Sequence, residues 1–142
     1  MAKIKVKGTS QVLNRLRNIS KEAELSVKSS VVRNTDQIYA QALSNVPVLD
    51  GYLRGSGNTS YQDGQLTGIV AFGGNAAPYA PYVEFGTGIG VNVPQGFEAY
   101  AMQFYVNGKG TMKAQPFLIP AFIKYKNVFL RDIRKIAKKI SK

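Results

Sequence analysis

The longest segment of the sequence without glycine or proline runs from Thr9 to Val46, in a chain that contains 14 glycines and 6 prolines. Apolar residues recur in it every three or four positions, which is the spacing of one helix face, and Thr35 fills the single gap. These apolar residues are Val12, Leu16, Ile19, Ala23, Val27, Val31, Ile38 and Ala42. The mostly polar cluster "NISKE" at 18–22 could divide the segment into a short and a long helix. Pro47 ends it, because the residue before a proline disfavours helical geometry. We therefore predict a long N-terminal helix.

A second helical pattern begins at Phe117 and continues to the end of the chain. Its apolar positions are Leu118, Phe122, Tyr125, Phe129, Ile133, Ile136 and Ile140. Its basic residues fall mainly on other sides of the helix and are Lys124, Lys126, Arg131, Arg134, Lys135, Lys138 and Lys139. The pattern predicts a basic amphipathic helix. Its cationic face could be solvated, contact nucleic acid or lie on a membrane surface. The bulky apolar face favours a core helix with a cationic outer side.

The remaining segments predict a small antiparallel sheet. Residues 2–7 alternate lysine with apolar residues, and residues 58–72 read as two strands joined at Asp63-Gly64, a dipeptide suited to a type I′ turn. Residues 79–85 are long enough only for a helical turn or a short strand. Residues 97–106 could form a strand or an aromatic-rich short helix, and we predict a strand at 101–106. The expected fold is a single α+β domain, residues 1–142, with a small antiparallel β-sheet packed with the long N-terminal helix and the C-terminal amphipathic helix.

Composition narrows the possible functions more than any motif does. The apolar fraction of 44% is that of a folded globular chain. Histidine and cysteine are both absent, which excludes thiol nucleophiles, imidazole bases and the usual zinc sites. The lysine-rich start is unlike a signal peptide, and no apolar run is long enough to span a membrane. We expect a soluble, non-secreted protein that binds no cofactor, no metal and no membrane and that has no small-molecule substrate.

The net charge of +11 is strongly segregated along the chain. Residues 55–108 contain three acidic residues and no lysine or arginine, whereas residues 109–142 contain ten basic residues and one acidic residue. A middle segment without lysine or arginine, flanked by basic ends, suits a protein with one cationic face and another face that meets partners.

Two glycine-rich segments fail as phosphate-binding motifs. The "GTGIG" of residues 86–90 has Val91 where a dinucleotide fingerprint needs its third glycine, and the segment does not open a predicted helix. The "GKGT" of residues 108–111 has Gln103 where a phosphate loop needs its first glycine. It also has Gly110 where the motif needs serine or threonine.

A pair of carboxylates could in principle support acid and base catalysis. The carboxylates considered for this role are Asp50, Asp63, Glu84, Glu98 and Asp132. Asp50, Asp63 and Asp132 sit in turns or in a lysine-rich helix, which leaves Glu84 and Glu98 as the pair. Burial between Val83 and Phe85 could raise the pKa of Glu84. The commoner role for such a residue is to cap a helix or to pair with an arginine.

Three segments in fixed order carry a family resemblance: "VPVLDGYLRGS" at 46–56, "APYAPYVEFGTG" at 77–88 and "MKAQPFLIPAF" at 112–122. Together they resemble the tail-completion, or head–tail joining, proteins of long-tailed bacteriophages, the gene-product-ten-like tail components of lambdoid phages. The matching positions are Asp50, Gly51, Leu53 and Arg54, then Tyr79, Ala80, Tyr82, Val83, Glu84, Phe85, Gly86 and Thr87, then Gln115, Pro116, Phe117, Leu118, Pro120 and Ala121. The loop from 88 to 112 is longer and more aromatic than the family pattern.

The resemblance implies a non-enzymatic structural protein of the virion neck or upper tail, assembled in the host cytoplasm. It implies a ring of this chain, expected to be hexameric, that joins the DNA-filled head to the tail. Its partners would be neighbouring neck, tail-terminator or head-completion proteins. We expect Tyr79, Tyr82 and Phe85 to be interface anchors. The basic residues expected to face passing DNA or an acidic partner are Lys124, Arg131, Arg134, Lys135, Lys138 and Lys139.

Two functions from other classes remain open. The chain could be a small stand-alone basic module that binds nucleic acid as a monomer or dimer. It could also be a hydrolase that uses Glu84 and Glu98. The first alternative predicts appreciable DNA or RNA affinity without assembly, and the second predicts an activity that replacing Glu84 by glutamine abolishes.

Overall fold

The computed structural model describes residues 2–7, 21–48, 51–103 and 110–140. Its elements in chain order are β1 (Ala2–Lys7), α1 (Lys21–Asn45), α2 (Tyr52–Gly55), β2 (Asn58–Gln62), β3 (Thr67–Phe72), α3 (Ala80–Phe85), a 3-10 turn (Gly88–Gly90), α4 (Glu98–Met102) and α5 (Leu118–Ile140). The predicted α+β architecture, with a small antiparallel sheet, a long N-terminal helix and a C-terminal helix, is confirmed. The first part of the predicted N-terminal helix, residues 9–20, lies outside the described residues.

The sheet has three antiparallel strands in the order β1-β3-β2. Ile4 of β1 lies opposite Val70 of β3, and Ser60 of β2 lies opposite Ile69. All six residues of the central strand β3 are buried. A strand buried on both faces loses the polar alternation of a half-exposed strand, which explains the continuous apolar run of "GIVAF".

Helix α1 crosses the face of β3 that carries Gly68, Val70 and Phe72. A Cβ atom at Gly68 would lie 1.9 Å from the Thr35 Oγ1 atom of α1, so only glycine allows this approach of strand and helix. Thr35 itself is fully buried and donates its hydroxyl hydrogen to the Val31 carbonyl oxygen at 2.7 Å. The threonine in the apolar helix pattern is therefore a point of close packing against the sheet.

The long helices α1 and α5 pack against each other and complete two apolar clusters. In the larger cluster, Phe72 makes an edge-to-face contact with Phe117 at 5.3 Å between ring centroids. In the smaller cluster, Val27 and Val31 of α1 pack with Phe129 and Ile133 of α5. The apolar spacing that predicts both helices is thus the spacing of their contact with each other and with the sheet.

The β2–β3 connection is longer than predicted. Strand pairing ends at Gln62 opposite Thr67, so the loop contains four residues rather than the two of a type I′ turn. Asp63 and Gly64 do adopt positive φ angles of 56° and 62°, as that turn requires. The extra residues place Leu66 against the smaller apolar cluster, and burial of this side chain accounts for the wider loop.

The predicted strand at 101–106 is wrong for the part that the structure describes. Ala101 and Met102 belong to the helix α4, in which the Ala101 N–H donates to the Phe97 carbonyl oxygen at 2.9 Å. Ala101 is buried in the larger cluster, and the preceding residue Tyr100 packs against that cluster. A single helical turn brings both Ala101 and Tyr100 against the larger cluster. Residues 104–106 lie outside the described part of the chain.

Candidate functional site

The second and third signature segments meet at Glu84. This residue lies in α3 and is only 2% exposed. Its Oε2 atom accepts hydrogen bonds from the N–H groups of Phe117 at 3.0 Å and Leu118 at 2.9 Å, and its Oε1 atom accepts one from Ile119 at 2.9 Å. The carboxylate is therefore the N-terminal cap of α5.

These three bonds complete the hydrogen bonding at the start of the helix. The first four N–H groups of an α-helix have no partner within the helix. At the start of α5 they belong to Phe117, Leu118, Ile119 and position 120, which is Pro120 and has no N–H group. One glutamate and one proline thus account for all four positions. The sequence-based suggestion that Glu84 caps a helix agrees with this geometry.

The environment of Glu84 acts on its pKa in two directions. Burial disfavours the charged carboxylate and raises the pKa above the ordinary glutamate value of 4.5. The three backbone N–H groups favour the charge and lower the pKa, but they do not overcome the effect of burial. The positive end of the helix dipole acts in the same direction as these donors.

The glycine-rich segment after α3 is a structural contact. The Thr87 N–H donates to the Met112 carbonyl oxygen at 2.9 Å, and the Ile89 N–H donates to that of Gly110 at 3.2 Å. A Cβ atom at Gly88 would lie 2.0 Å from the Gly110 carbonyl oxygen, so the two backbones approach closely. Because these amides bind carbonyl oxygens of the chain itself, the segment is not arranged to hold a phosphate group.

The first signature segment contributes one core residue and two surface residues. Leu53 is 3% exposed and belongs to the larger apolar cluster, whereas Gly51 and Arg54 are exposed. Gly51 precedes α2 with a φ angle of +81°, a conformation that favours glycine. Asp50 lies outside the described residues.

The signature aromatic residues separate into core and surface. Phe85 and Phe117 are fully buried, so they stabilise the subunit and do not reach a partner. Tyr79 is half-buried against the same cluster. Tyr82 is 36% exposed and is the one of the three proposed anchors that lies clearly on the surface.

The other signature residues lie around these contacts. Gly86 is buried, and Thr87 is half-buried with its Oγ1 atom accepting a hydrogen bond from the Met112 N–H at 3.0 Å. Pro116 and Pro120 are exposed at the start of α5. The exposed residues of the second and third segments thus include Tyr82 and these prolines, together with Pro78, Lys113 and Gln115.

The six candidate cations of α5 are all exposed. Lys124 donates a hydrogen bond from Nζ to the Gln41 Oε1 atom at 3.2 Å and lies 5.3 Å from the ring centroid of Tyr125. Neither contact neutralises its charge. The one acidic residue of the helix, Asp132, turns toward α1 instead of toward these cations.

Sequence reasoning missed the polar contact between the long helices. Asp132 Oδ2 accepts hydrogen bonds from Ser30 at 3.1 Å, Arg33 at 2.6 Å and Asn34 at 3.1 Å. Burial opposes the charge on Asp132, but the bonds from Arg33, Asn34 and Ser30 outweigh it and lower the pKa of this carboxyl. The only sequence signal was polar residues at helical spacing among the buried positions of α1.

The two carboxylates considered for catalysis have separate structural contacts. Glu84 uses both oxygens at the start of α5, whereas the exposed Glu98 accepts a hydrogen bond from the Gly96 N–H at 2.9 Å, two residues before it. Within the described ranges, no three acidic side chains are grouped as metal ligands would be. The helices described here are also too short or too polar to cross a membrane.

Comparison with known proteins gives no relative for this chain. No protein-family model, no curated protein and no solved structure matches it significantly.

Proposed function

We propose that this chain is a structural subunit at the head–tail interface of a long-tailed bacteriophage. In this role it forms a ring in the neck or upper tail and helps to join the DNA-filled head to the tail. Its partners are other copies of itself and neighbouring neck, tail-terminator or head-completion proteins. It needs no cofactor and catalyses no reaction.

The observation that carries the proposal is the convergence of the three signature segments in one structural unit. Leu53, Phe85 and Phe117, one from each segment, belong to the same apolar cluster. Glu84 then bonds the second segment directly to the third. The Gln115 N–H also donates to the Val83 carbonyl oxygen at 2.8 Å. The resemblance therefore rests on residues that depend on one another, which supports a shared fold rather than three chance matches.

The same burial pattern narrows the proposed interface to Tyr82. A partially exposed tyrosine is typical of an interface anchor, because it buries a large rigid surface at low entropic cost. Phe85 is excluded from this role by its complete burial. We propose that Tyr82 packs against the adjacent subunit or the next protein of the neck.

Deleting the gene from the phage genome tests the proposed function directly. We expect lysates that contain DNA-filled heads and free tails but no joined virions, because heads and tails assemble separately before they join. Electron microscopy of the lysate counts the three kinds of particle. Infectious virions at the parental titre would contradict the proposal.

Replacing Tyr82 by alanine tests the proposed interface. Because Tyr82 is 36% exposed and the rest of its surface is buried in the subunit, we expect the free energy of unfolding to fall by about 1–2 kcal/mol while virion formation falls. Phe85→Ala is the core control and is expected to cost about 3–5 kcal/mol. A large loss of stability in Tyr82→Ala, measured by urea denaturation, would place Tyr82 in the core and remove the interface assignment.

The exposed cations of α5 favour one second candidate, a stand-alone nucleic-acid-binding module. It differs from the first proposal in assembly, because such a module stays a monomer or dimer and is not needed to join heads to tails. Mass measurement in the presence of the neighbouring neck proteins distinguishes the two functions.

A further inference from the structure

The outward side of α5 carries five cations, and we call four of them, Lys124, Arg131, Arg134 and Lys135, the α5 row. The fifth, Lys138, follows them near the end of the helix. At 3.6 residues per turn, they fall within an arc of about 100° on the helix circumference. This arc lies on the side away from Leu118, Phe129 and Ile133, which face the core. All four residues of the row are exposed.

Within the described part of the chain, the ion pairs of the structure do not include a member of the α5 row. Asp132, the acidic residue of α5, is 17% exposed and is bound by three side chains of α1. The ion pairs found among the described residues join Lys28 to Glu24 and Arg33 to Asp132. Neither pair includes a member of the α5 row, so its four positive charges act together on the solvent.

The row lacks the apolar groups of a protein interface. Protein interfaces are enriched in aromatic residues and methionine at their centre and depleted in lysine. The large hydrophobic residue exposed on α5 is Ile123, which precedes the row's densest part at residues 131–135. A polar, hydrated and uniformly positive face fits phosphate groups better than it fits an acidic protein surface.

The length of the row also fits a phosphate backbone. Lys124 and Lys135 are separated by about 17 Å along the helix axis at 1.5 Å per residue. One strand of DNA presents about five phosphates over that length, at 3.4 Å per phosphate along the duplex axis. A helix face of this size can therefore contact several phosphates at once.

We propose that the α5 row binds the phosphate backbone of double-stranded DNA without reading its sequence. The binding energy comes mainly from release of counterions when lysine and arginine neutralise phosphates. This inference depends on one face of one helix, and it holds whether or not the chain forms a ring at the head–tail interface.

The test compares two variants that have the same net charge. The row variant combines Lys124→Gln, Arg131→Gln, Arg134→Gln and Lys135→Gln. The control variant combines Lys3→Gln, Lys21→Gln, Lys113→Gln and Lys126→Gln, four exposed lysines outside the row. Binding to a fluorescent mixed-sequence duplex of about 30 base pairs, long enough for the contact length above, is followed by anisotropy. Circular dichroism verifies that both variants are folded.

For four phosphate contacts, the logarithm of the binding constant should fall with the logarithm of salt concentration with a slope of about −3.6. Raising NaCl from about 50 to about 200 mM then weakens wild-type binding roughly 150-fold. We expect the row variant to bind at least about tenfold more weakly than wild type at the lower salt and to lose most of this slope. The control variant should retain both within about threefold.

Three results would overturn the inference. Equal weakening of both variants would assign binding to net charge rather than to the α5 row. Absence of salt-dependent DNA binding by the wild-type protein would remove the DNA contact altogether. Binding of poly-L-glutamate without binding of DNA would assign the row to an acidic protein surface. These DNA-binding results do not test ring formation. Ring formation is measured separately by mass and tests the proposed function at the head–tail interface.

Discussion

Replacing Glu84 by glutamine removes a negative charge and one acceptor oxygen while keeping the size of the side chain. In the protein, Oε2 accepts two N–H groups and Oε1 accepts one. The glutamine carbonyl can take the place of Oε2, but its NH₂ group then faces the Ile119 N–H, and two donors oppose each other. The start of α5 therefore loses at least one buried hydrogen bond.

The magnitude follows from these losses. A buried N–H group left without an acceptor costs about 1–3 kcal/mol. We expect Glu84→Gln to lower the free energy of unfolding by about 1–3 kcal/mol. Glu84→Ala, which removes all three bonds, should cost more. The matched control is Glu98→Gln, because this exposed residue accepts one local hydrogen bond and should change stability by less than about 0.5 kcal/mol.

The pH dependence gives a second, independent measurement. Because burial raises the folded-state pKa of Glu84, the folded protein holds this proton more tightly than the unfolded chain does. The stabilisation that this tighter proton binding provides is fully present below the ordinary glutamate pKa of 4.5. It is lost as pH rises through the folded-state pKa of Glu84. The stability difference between wild type and Glu84→Gln should therefore be larger at about pH 4 than at about pH 8.

Urea denaturation of wild type, Glu84→Gln and Glu98→Gln across this pH range measures both effects. A Glu84→Gln variant as stable as wild type would refute the assignment of Glu84 as the cap of α5. A stability difference that grows as pH rises would refute the raised pKa, because it would mean that the three N–H groups outweigh burial.

Two further substitutions test contacts outside the cap. Gly88→Ala places a Cβ atom 2.0 Å from the Gly110 carbonyl oxygen and should cost more than about 2 kcal/mol in urea denaturation, whereas Gly74→Ala, also at positive φ but with open space around it, should cost about 1 kcal/mol. Equal costs would show that backbone strain alone matters. Asp132→Asn weakens the contact with α1 and should cost about 1–2 kcal/mol at neutral pH. Because the pKa of Asp132 is lowered in the folded protein, that difference should be present above the ordinary aspartate value of 3.8 and should be lost as pH falls further through the folded-state pKa. A constant difference would contradict the lowered pKa.

The long helices could be predicted from sequence because their periodic patterns extend over many turns. The pattern in α5 continues for 23 residues, so one misplaced residue changes little. Residues 97–102 contain a single turn of α4, and over so short a segment helical and strand spacing cannot be separated. Packing of Ala101 and Tyr100 against the larger cluster decides that turn, and packing is not visible in a local pattern.

The site was predictable in type but not in geometry. A glutamate between Val83 and Phe85 indicated a buried or capping carboxylate. Its partners lie 33 to 35 residues further along the chain, and no spacing rule connects residues so far apart. The same limit hid the bonds of Asp132, whose partners in α1 lie 98 to 102 residues earlier.

The separation of Glu84 from the helix that it caps has a consequence for the order of folding. Closing a chain segment of 33 residues costs roughly 3 kcal/mol in entropy, about as much as the cap contributes. The cap cannot form alone as an early folding nucleus, because its hydrogen bonds contribute no more free energy than loop closure costs. Contacts between α1, α5 and β3 must first bring the two ends together. The hydrogen bonds of Glu84 then form after the apolar core has packed, and they stabilise that arrangement.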